Sequence, residues 1–367
     1  MIRISHRPEI AAPWLERFRG QRPSCVCVLG FTETGLIPGI SAAGATPADR
    51  KTTAIADAEF LYHGPCSGVR YALPSLQAGA SPALISRAVI AGQDMPLQIV
   101  NAGLPQPPPV PHLDLQGGPA RCVSSGNALP LGIARRLFDR GLQVGRRLAQ
   151  AATPGYLILG ECVVGGTTTA LAVLSALGLA AGGKINSSHP LCNHGQKQRL
   201  VKAGLQRLAQ RLDRPIGSLP PLDRWAALGD PMQGSAAAIA LAASQRTGVL
   251  LAGGTQMLAV YHLMGAIARA EGLPWDPSQV VVGTTRWVTD DPTGDTLGLA
   301  KAVDAPLLTA ELSFAQSLYK QLRAYEAGYV KEGAAAGGCA IAGHLYRGWG
   351  QDELLTAVEG LMAMLER

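Results

Sequence analysis

Two segments of this sequence combine a carboxylate with glycines and small residues, a composition typical of loops that contact small ligands. Segment 160–169 reads Gly-Glu-Cys-Val-Val-Gly-Gly-Thr-Thr-Thr and lies between an apolar run and a stretch with helical composition. Glycines let a backbone approach an anion closely, and the first N–H groups of a helix point at it with the helix dipole behind them. The segment therefore predicts a phosphate-binding turn, and a tight turn that only starts a core helix is an equal alternative.

The second segment, 329–338, reads Tyr-Val-Lys-Glu-Gly-Ala-Ala-Ala-Gly-Gly and precedes another apolar helical stretch. Its one carboxylate, Glu332, stands at the edge of a Gly/Ala loop, where it can project into a cleft as a general base. The alternative is a solvent-facing Glu332 paired with Lys331, which the residues alone favour.

Two further segments are weaker candidates. Asp290 and Asp291 followed by Thr-Gly resemble the loop that binds phosphoribosyl pyrophosphate, but the flanking residues do not fit, and we interpret the segment as a surface turn. The cluster His189, Cys192 and His194 lacks a fourth ligand for structural zinc, and we interpret it as a polar loop without a metal.

Composition limits the class of protein. The chain has 367 residues, 47% hydrophobic and 16% charged, which suits one large α/β domain or two smaller ones. Aromatic residues are too scarce for a single-stranded nucleic-acid platform, so we expect no nucleic-acid partner. The net charge of +6 is scattered, and its densest patch falls on a predicted helix with a solvated face: Arg135, Arg136, Arg140, Arg146, Arg147.

Location is predicted from the cysteines and the apolar stretches. The seven cysteines are odd in number and lie largely in apolar runs, which favours reduced core thiols and a cytoplasmic protein. The uncharged stretches 162–183 and 247–268 are broken by glycine pairs. What remains in each is a helix of about 14 residues, too short for a bilayer of about 30 Å, so we expect no membrane span.

Strands alternate with helices along the chain. Apolar runs predict strands at 24–30, 97–100, 156–159, 248–252 and 279–283, and helices at 168–179, 231–245 and 256–270. Asp230 before Pro231 is a typical helix start. This alternation predicts a Rossmann-like α/β fold: a parallel sheet with helices on both faces, and ligands at the carboxyl ends of its strands. We expect one domain, 1–367, with a core at about 90–345 and a smaller subdomain from the N- and C-terminal segments.

The motifs together resemble a known enzyme family. Segment 160–168 is similar to the Gly-Glu-Met-Gly-Ile-Gly-Asn-Thr-Thr motif of the nicotinate-nucleotide:dimethylbenzimidazole phosphoribosyltransferase (CobT) family, and segment 331–337 to its Gly-Glu-Gly-Thr-Gly-Ala motif. Segments 229–231 and 248–255 resemble two further motifs in the same order. The N-terminal third, including 32–41, resembles only the uncharacterised branch of that family in cyanobacteria and archaea, and the resemblance implies that this third builds much of the base pocket.

The resemblance implies a function and a set of site residues. It implies transfer of phosphoribosyl from nicotinate mononucleotide to a nitrogen base, giving an α-ribotide for cobamide lower-ligand assembly, with Glu332 as the catalytic base and no cofactor or metal. It implies a homodimer. The residues implied for phosphate are Gly160, Glu161, Val164, Gly165, Gly166, Thr167, Thr168 and Lys197. Those implied for the substrate pocket are Gly229, Asp230, Gly253, Gly254, Thr255 and Gly333.

Alternatives stay open at the level of sequence. Gly166 replaces the family's Asn and Gly253 its Asp, which favours a protein of the same fold that binds a nucleotide as a sensor without catalysis. The strand–glycine–helix units also allow a nicotinamide-dinucleotide oxidoreductase, although the Gly-x-Gly-x-x-Gly spacing is missing. The acceptor base is open among dimethylbenzimidazole, adenine or another purine, and phenolic rings.

Overall fold

The computed structural model describes residues 1–74, 76 and 78–366. Its strands are β1 Ile2–His6, β2 Ser24–Gly30, β3 Leu97–Gly103, β4 His112–Asp114, β5 Tyr156–Cys162, β6 Gly248–Ala252, β7 Val280–Thr285 and β8 Leu307–Ala310. They form one eight-stranded sheet in the order β1-β8-β7-β6-β5-β2-β3-β4. All neighbours are parallel except β1, which pairs antiparallel with β8.

Helices connect and cover the strands. They are α1 Pro8–Phe18, α2 Asp49–His63, α3 Ala83–Gly92, α4 Leu131–Ala152, α5 Gly166–Ala176, α6 His194–Gln210, α7 Pro221–Leu228, α8 Pro231–Ser244, α9 Thr255–Glu271, α10 Arg286–Thr289, α11 Thr296–Val303, α12 Lys320–Arg323, α13 Ala336–Arg347 and α14 Gln351–Leu365.

Successive residues of each central strand pack into two different cores. Leu157 and Leu159 of β5 face one core with α4, α5, α8 and α9, whereas Tyr156 and Ile158 face the other with α1, α2, α3 and α13. This is the period-2 alternation of a strand buried on both faces. The predicted α/β sheet with helices on both faces is confirmed, with one antiparallel edge strand as the difference. The separation of a core from a smaller subdomain stays a prediction.

Most predicted elements are present, with shifted ends. β2 and β6 have the predicted bounds, and Asp230 caps α8 as expected, since its side chain accepts hydrogen bonds from the N–H groups of Met232 and Gln233. The predicted end of β5 at residue 159 is wrong. The strand continues to Cys162 because residues 160–162 stay paired with residues 27–29 of β2, and α5 starts at Gly166 rather than at 168.

The exposure of individual side chains tests two further predictions, one on the arginine patch and one on the cysteines. The arginine patch lies on α4, which buries its apolar face and exposes four of its five arginines, so the solvated-face interpretation is confirmed. All seven cysteines are free, and four of them are buried. Within the part of the chain that the structure describes, no helix has both the length and the apolarity needed to cross a membrane.

Candidate functional site

The carboxyl ends of β5, β6 and β7 surround a cavity whose open space is about 990 Å³, including the part that faces solvent. Its location at the carboxyl ends of parallel strands is the one predicted for ligands in such sheets. Both predicted segments contribute to it, the first through Glu161 and Val163–Thr167 and the second through 330–333.

The two segments contact each other directly behind the cavity. The N–H of Ala334 donates to the carbonyl of Glu161 at 3.1 Å. Gly160 faces Ala335 so closely that any side-chain carbon at position 160 would collide with it. Gly160 therefore allows the close approach of strand and loop, and it does not line the cavity itself.

The turn after β5 presents unpaired backbone donors to the cavity. The N–H groups of Val164, Gly165 and Thr167 donate to no acceptor among the described residues, and all three residues line the cavity. They precede or begin α5, whose dipole favours an anion at this end. The turn therefore has the donors that the phosphate-binding hypothesis requires.

Glu332 is a half-buried carboxylate held by four donors. Its Oε2 accepts from the Thr284 hydroxyl at 2.8 Å and the Thr285 N–H at 2.9 Å, and its Oε1 accepts from the N–H groups of Gly337 at 2.9 Å and Gly333 at 3.3 Å. Burial raises the pKa of Glu332, while the hydrogen bonds from Gly337, Thr284, Gly333 and Thr285 act in the opposite direction. The alternative of a solvent-facing Glu332 paired with Lys331 is wrong.

Lys331 forms a buried ion pair with Asp291 instead. The two charged atoms are 2.5 Å apart, and Lys331 also donates to the carbonyl of His189 at 2.9 Å. Burial alone would raise the pKa of Asp291, but the hydrogen bond from Lys331 holds it at about 2. The surface-turn interpretation is therefore wrong for Asp291, which is buried, although Asp290 is exposed.

The loop around Glu332 has an unusual backbone. Val330, Lys331, Ala334 and Ala335 all adopt positive φ, between 47° and 73°, a region that L-residues other than glycine rarely occupy. Such conformations cost of order 1–3 kcal/mol each and are kept only where surrounding contacts determine them. The Lys331–Asp291 pair and the four bonds to Glu332 are the contacts that fix this loop.

Glu161 has a different environment from Glu332. Its Oε2 accepts from the Val163 N–H at 3.1 Å, and its Oε1 accepts from the Gln256 side chain at 2.9 Å. Burial, with the nearby charges of Asp230 and Glu332, raises the pKa of Glu161 to about 8. At neutral pH this carboxyl is therefore mostly protonated, which removes a negative charge from the side of the cavity where the unpaired N–H donors lie.

Gln256 occupies the space next to Gly166. A side-chain carbon at position 166 would overlap the amide oxygen of Gln256, which has no hydrogen-bond partner among the described residues. The sequence departs from the family motif at Gly166, and in this chain the side-chain amide of Gln256 from α9 fills the space beside that glycine. At the second departure, a side-chain carbon on Gly253 would lie 3.9 Å from Oε1 of Glu161.

The remaining predicted residues divide into two groups. Gly254, Thr255 and Gly333 line the cavity. The others lie behind its wall: Thr168 is buried in α5, Asp230 caps α8 and accepts from Thr169 at 2.6 Å, Gly229 packs on Trp225, and Lys197 donates to the carbonyl of Asn186. Burial lowers the pKa of Lys197 to about 7. The Lys197 ammonium does not line the cavity itself but contacts Asn186, which does.

Sequence reasoning missed much of the cavity wall. The missed residues include Ser41, Ala42, Ala43, Thr53, Asp57, Ser81, Pro82, Asn186, Ser187, Ser188, Gln256 and Lys331. Most come from the N-terminal third and from the 186–188 loop, which approach the sheet only in the folded chain. One signal in the sequence could have located more of the site. Thr284 and Thr285 end β7, and polar residues at the carboxyl end of a strand face the ligand site in this class of fold.

Comparisons with known proteins agree with this architecture. No protein-family model matches the chain. It is 60% identical over 361 residues to a UPF0284 protein of Cyanothece sp., covering 98% of this chain and 96% of that protein, and 55% identical over 364 residues to a UPF0284 protein of Trichodesmium erythraeum, covering 99% and 98%.

Two solved structures share the fold. The crystal structure of nicotinate-nucleotide-dimethylbenzimidazole phosphoribosyltransferase from Thermus thermophilus superposes with a TM-score of 0.54 at 19% identity, over 95% of this chain and 93% of that one. The crystal structure of CobT from the same organism gives 0.58 at 18% identity, over 98% and 92%. At these identities the likeness shows the fold alone.

Proposed function

This chain belongs to the UPF0284 protein family, and we propose that it is a phosphoribosyltransferase that moves phosphoribosyl from nicotinate mononucleotide to a nitrogen base. The product is an α-ribotide, the form in which a base enters cobamide lower-ligand assembly. The observation that supports this most is that the N–H groups of Val164, Gly165 and Thr167, unpaired among the described residues, and the carboxylate of Glu332 converge on one cavity. The fold shared with the Thermus enzyme agrees with it.

The donors of the turn suit the 5′-phosphate of the ribotide. Val164, Gly165 and Thr167 supply N–H groups at the start of α5, and these bind an oxyanion without a metal ion or a lysine. The cavity wall contains one cation among the described residues, Lys331, and Asp291 neutralises it. Because Glu161 is protonated, it does not repel the phosphate, and the backbone N–H donors are then sufficient to bind it.

Glu332 acts as the general base in this proposal. One ring nitrogen of the acceptor attacks C1′ of the ribotide with its lone pair, and Glu332 takes the proton from the other ring nitrogen. The bond from C1′ to the pyridinium nitrogen breaks, and its electron pair stays on that nitrogen, so nicotinate leaves as a neutral ring with its carboxylate. The weakest contact to Glu332, the Gly333 N–H at 3.3 Å, is the one that a substrate N–H replaces. Alignment of the two substrates supplies much of the rate.

A second candidate is a nucleotide sensor without catalysis. The four donors around Glu332 occupy the acceptor positions of its two oxygens, as in a carboxylate that only fixes a loop. Such a protein binds nicotinate mononucleotide and releases no nicotinate. The homodimer and the cytoplasmic location implied by the sequence stay predictions for either candidate.

The test is a product assay. Purified protein is incubated with nicotinate mononucleotide alone and with each of a panel of bases, and nicotinate and ribotides are measured by liquid chromatography and mass spectrometry. We expect nicotinate and one new ribotide in equal amounts, and only when a base is present. Binding of the mononucleotide by calorimetry with no product from any base would favour the sensor, and absence of binding would contradict both.

A further inference from the structure

A second carboxylate of the cavity wall, Asp57 on α2, has no role in the proposed chemistry. It is buried, with 5% of its surface exposed. Its Oδ1 accepts from the Ser81 hydroxyl at 3.0 Å, and its Oδ2 accepts from the Cys162 thiol at 3.1 Å. A thiol is a weak donor, and an ionised carboxylate accepts about four hydrogen bonds, so the described residues leave about two acceptor positions of Asp57 unused.

No cation compensates this carboxylate among the described residues. Arg50 of the same helix donates instead to the carbonyls of Ile37, Ser41 and Gly44. Burial raises the pKa of Asp57 to about 6, against the effect of the bonds from Cys162 and Ser81. Asp57 is thus mostly ionised at neutral pH, and a buried charge with unused acceptor positions is costly unless a ligand donates to it.

The surroundings of Asp57 fit a flat aromatic ring. The cavity wall also includes the apolar side chains of Pro74, Leu76 and Pro82, and Pro82 directly follows Ser81, the donor to Asp57. Pro82 lies against Gly333, next to the candidate base, because a side-chain carbon on Gly333 would be 3.2 Å from the Pro82 ring. A ring that packs against Pro82 can therefore contact both Glu332 and Asp57.

We propose that Asp57 selects acceptor bases that carry an exocyclic amino group, by accepting a hydrogen bond from that group at the edge of the ring. This inference rests on the proposed function, since it places the acceptor base between Asp57 and Glu332. A base with only hydrogens or methyl groups at that edge leaves the carboxylate desolvated and unpaired. Sites built to hydrogen-bond a substrate group discriminate strongly against analogues that lack it.

The test compares two pairs of bases that differ only in the amino group: adenine with purine, and 5-aminobenzimidazole with benzimidazole. Binding of each free base is measured by calorimetry, and ribotide formation is measured in competition. We expect at least one amino-bearing base to bind tenfold or more tightly than its partner, and to dominate the products. Asp57→Ala should reduce the preference to within about threefold, and Asp57→Asn should keep part of it.

Glu59→Gln is the matched control, since Glu59 is a buried carboxylate on the same helix that accepts from the N–H groups of Arg70 and Tyr71 and does not line the cavity. We expect it to keep the preference. Equal binding within both pairs, no measurable binding of any base, or a preference that survives in Asp57→Ala would overturn the inference. Because binding is measured without turnover, a preference that depends on Asp57 supports the inference even where no ribotide forms, a result that would contradict only the proposed transfer.

Discussion

At the scale of single residues, the cavity has two glutamates with contrasting environments. Glu332 is half-buried and has four donors, whereas Glu161 is buried and has two. Burial and neighbouring acids raise the pKa of Glu161 to about 8, well above its ordinary value of 4.5. Burial raises the pKa of Glu332 as well, while the hydrogen bonds that it accepts oppose this shift.

The pKa of Glu161 predicts how stability changes with pH. Between about 4.5 and 8 the folded state keeps a proton that the unfolded chain has lost, so the free energy of unfolding falls as pH rises through this interval and levels off above it. The total effect is a few kcal/mol. We expect Glu161→Gln to remove this part of the pH dependence, measured by urea unfolding from pH 5 to 9.

The comparison with the variant is needed because Lys197 acts in the opposite direction. Burial lowers its pKa to about 7, so its contribution to stability rises with pH above 7. Subtracting the Glu161→Gln curve from that of the original protein isolates Glu161. A difference curve that is flat within about 0.5 kcal/mol would show that this carboxyl titrates normally.

The contact between Gly166 and Gln256 predicts a non-additive pair of substitutions. Asn at position 166 would overlap the Gln256 amide, and overpacking of a buried contact costs about 1–3 kcal/mol. We expect Gly166→Asn to lose that amount in urea unfolding and Gly166→Asn with Gln256→Ala to recover most of it. Two substitutions whose effects simply add would contradict the view that Gln256 fills the place of the missing side chain.

At the scale of elements, the loop that presents Glu332 is held by a long-range ion pair. Lys331 and Asp291 are 40 positions apart, and each is buried. Removing one partner leaves the other charge unpaired, at a cost of about 3–5 kcal/mol. We expect this loss for Lys331→Met and a smaller one for Lys331→Met with Asp291→Asn. The exposed pair of Arg19 and Glu16 is the control, and Arg19→Met should change stability by less than about 1 kcal/mol. Equal losses at the two sites would show that the buried pair does not fix the loop.

The elements also show what the sequence could predict and why the rest was missed. Continuous apolar runs identified β2, β5, β6 and β7, because a strand buried on both faces has few alternatives. The end of β5 was missed because Glu161 and Cys162 carry the strand onward into the site. Lys331 was assigned to the wrong partner and Asp291 to the surface, since a pair 40 positions apart leaves no local pattern. The cavity-lining residues around Asp57 were missed for the same reason.

At the scale of the whole molecule, the topology brings the two chemical segments together. The turn after β5 and the loop before α13 are about 165 positions apart, yet both lie at the carboxyl edge of one sheet, joined by the bond from Ala334 to Glu161. This convergence was predicted from the motifs. The N-terminal third was also expected to build much of the base pocket, but its individual wall residues on α2 and before α3 were not identified, because they depend on how that third folds over the edge.

The central claim is that Glu332 removes a proton during phosphoribosyl transfer, and the turnover of Glu332→Gln tests it most directly. With nicotinate mononucleotide and the best base of the panel, we predict that kcat falls by about 10²- to 10⁴-fold, the usual contribution of a general base. The Kd for the mononucleotide, measured by calorimetry, should stay within about threefold of that of the original protein. Glu332→Ala should show the same fall in kcat and the same binding. Glu311→Gln, a surface substitution beside Arg3, should leave kcat unchanged. Turnover of a folded Glu332→Gln within threefold of the original protein would contradict the account.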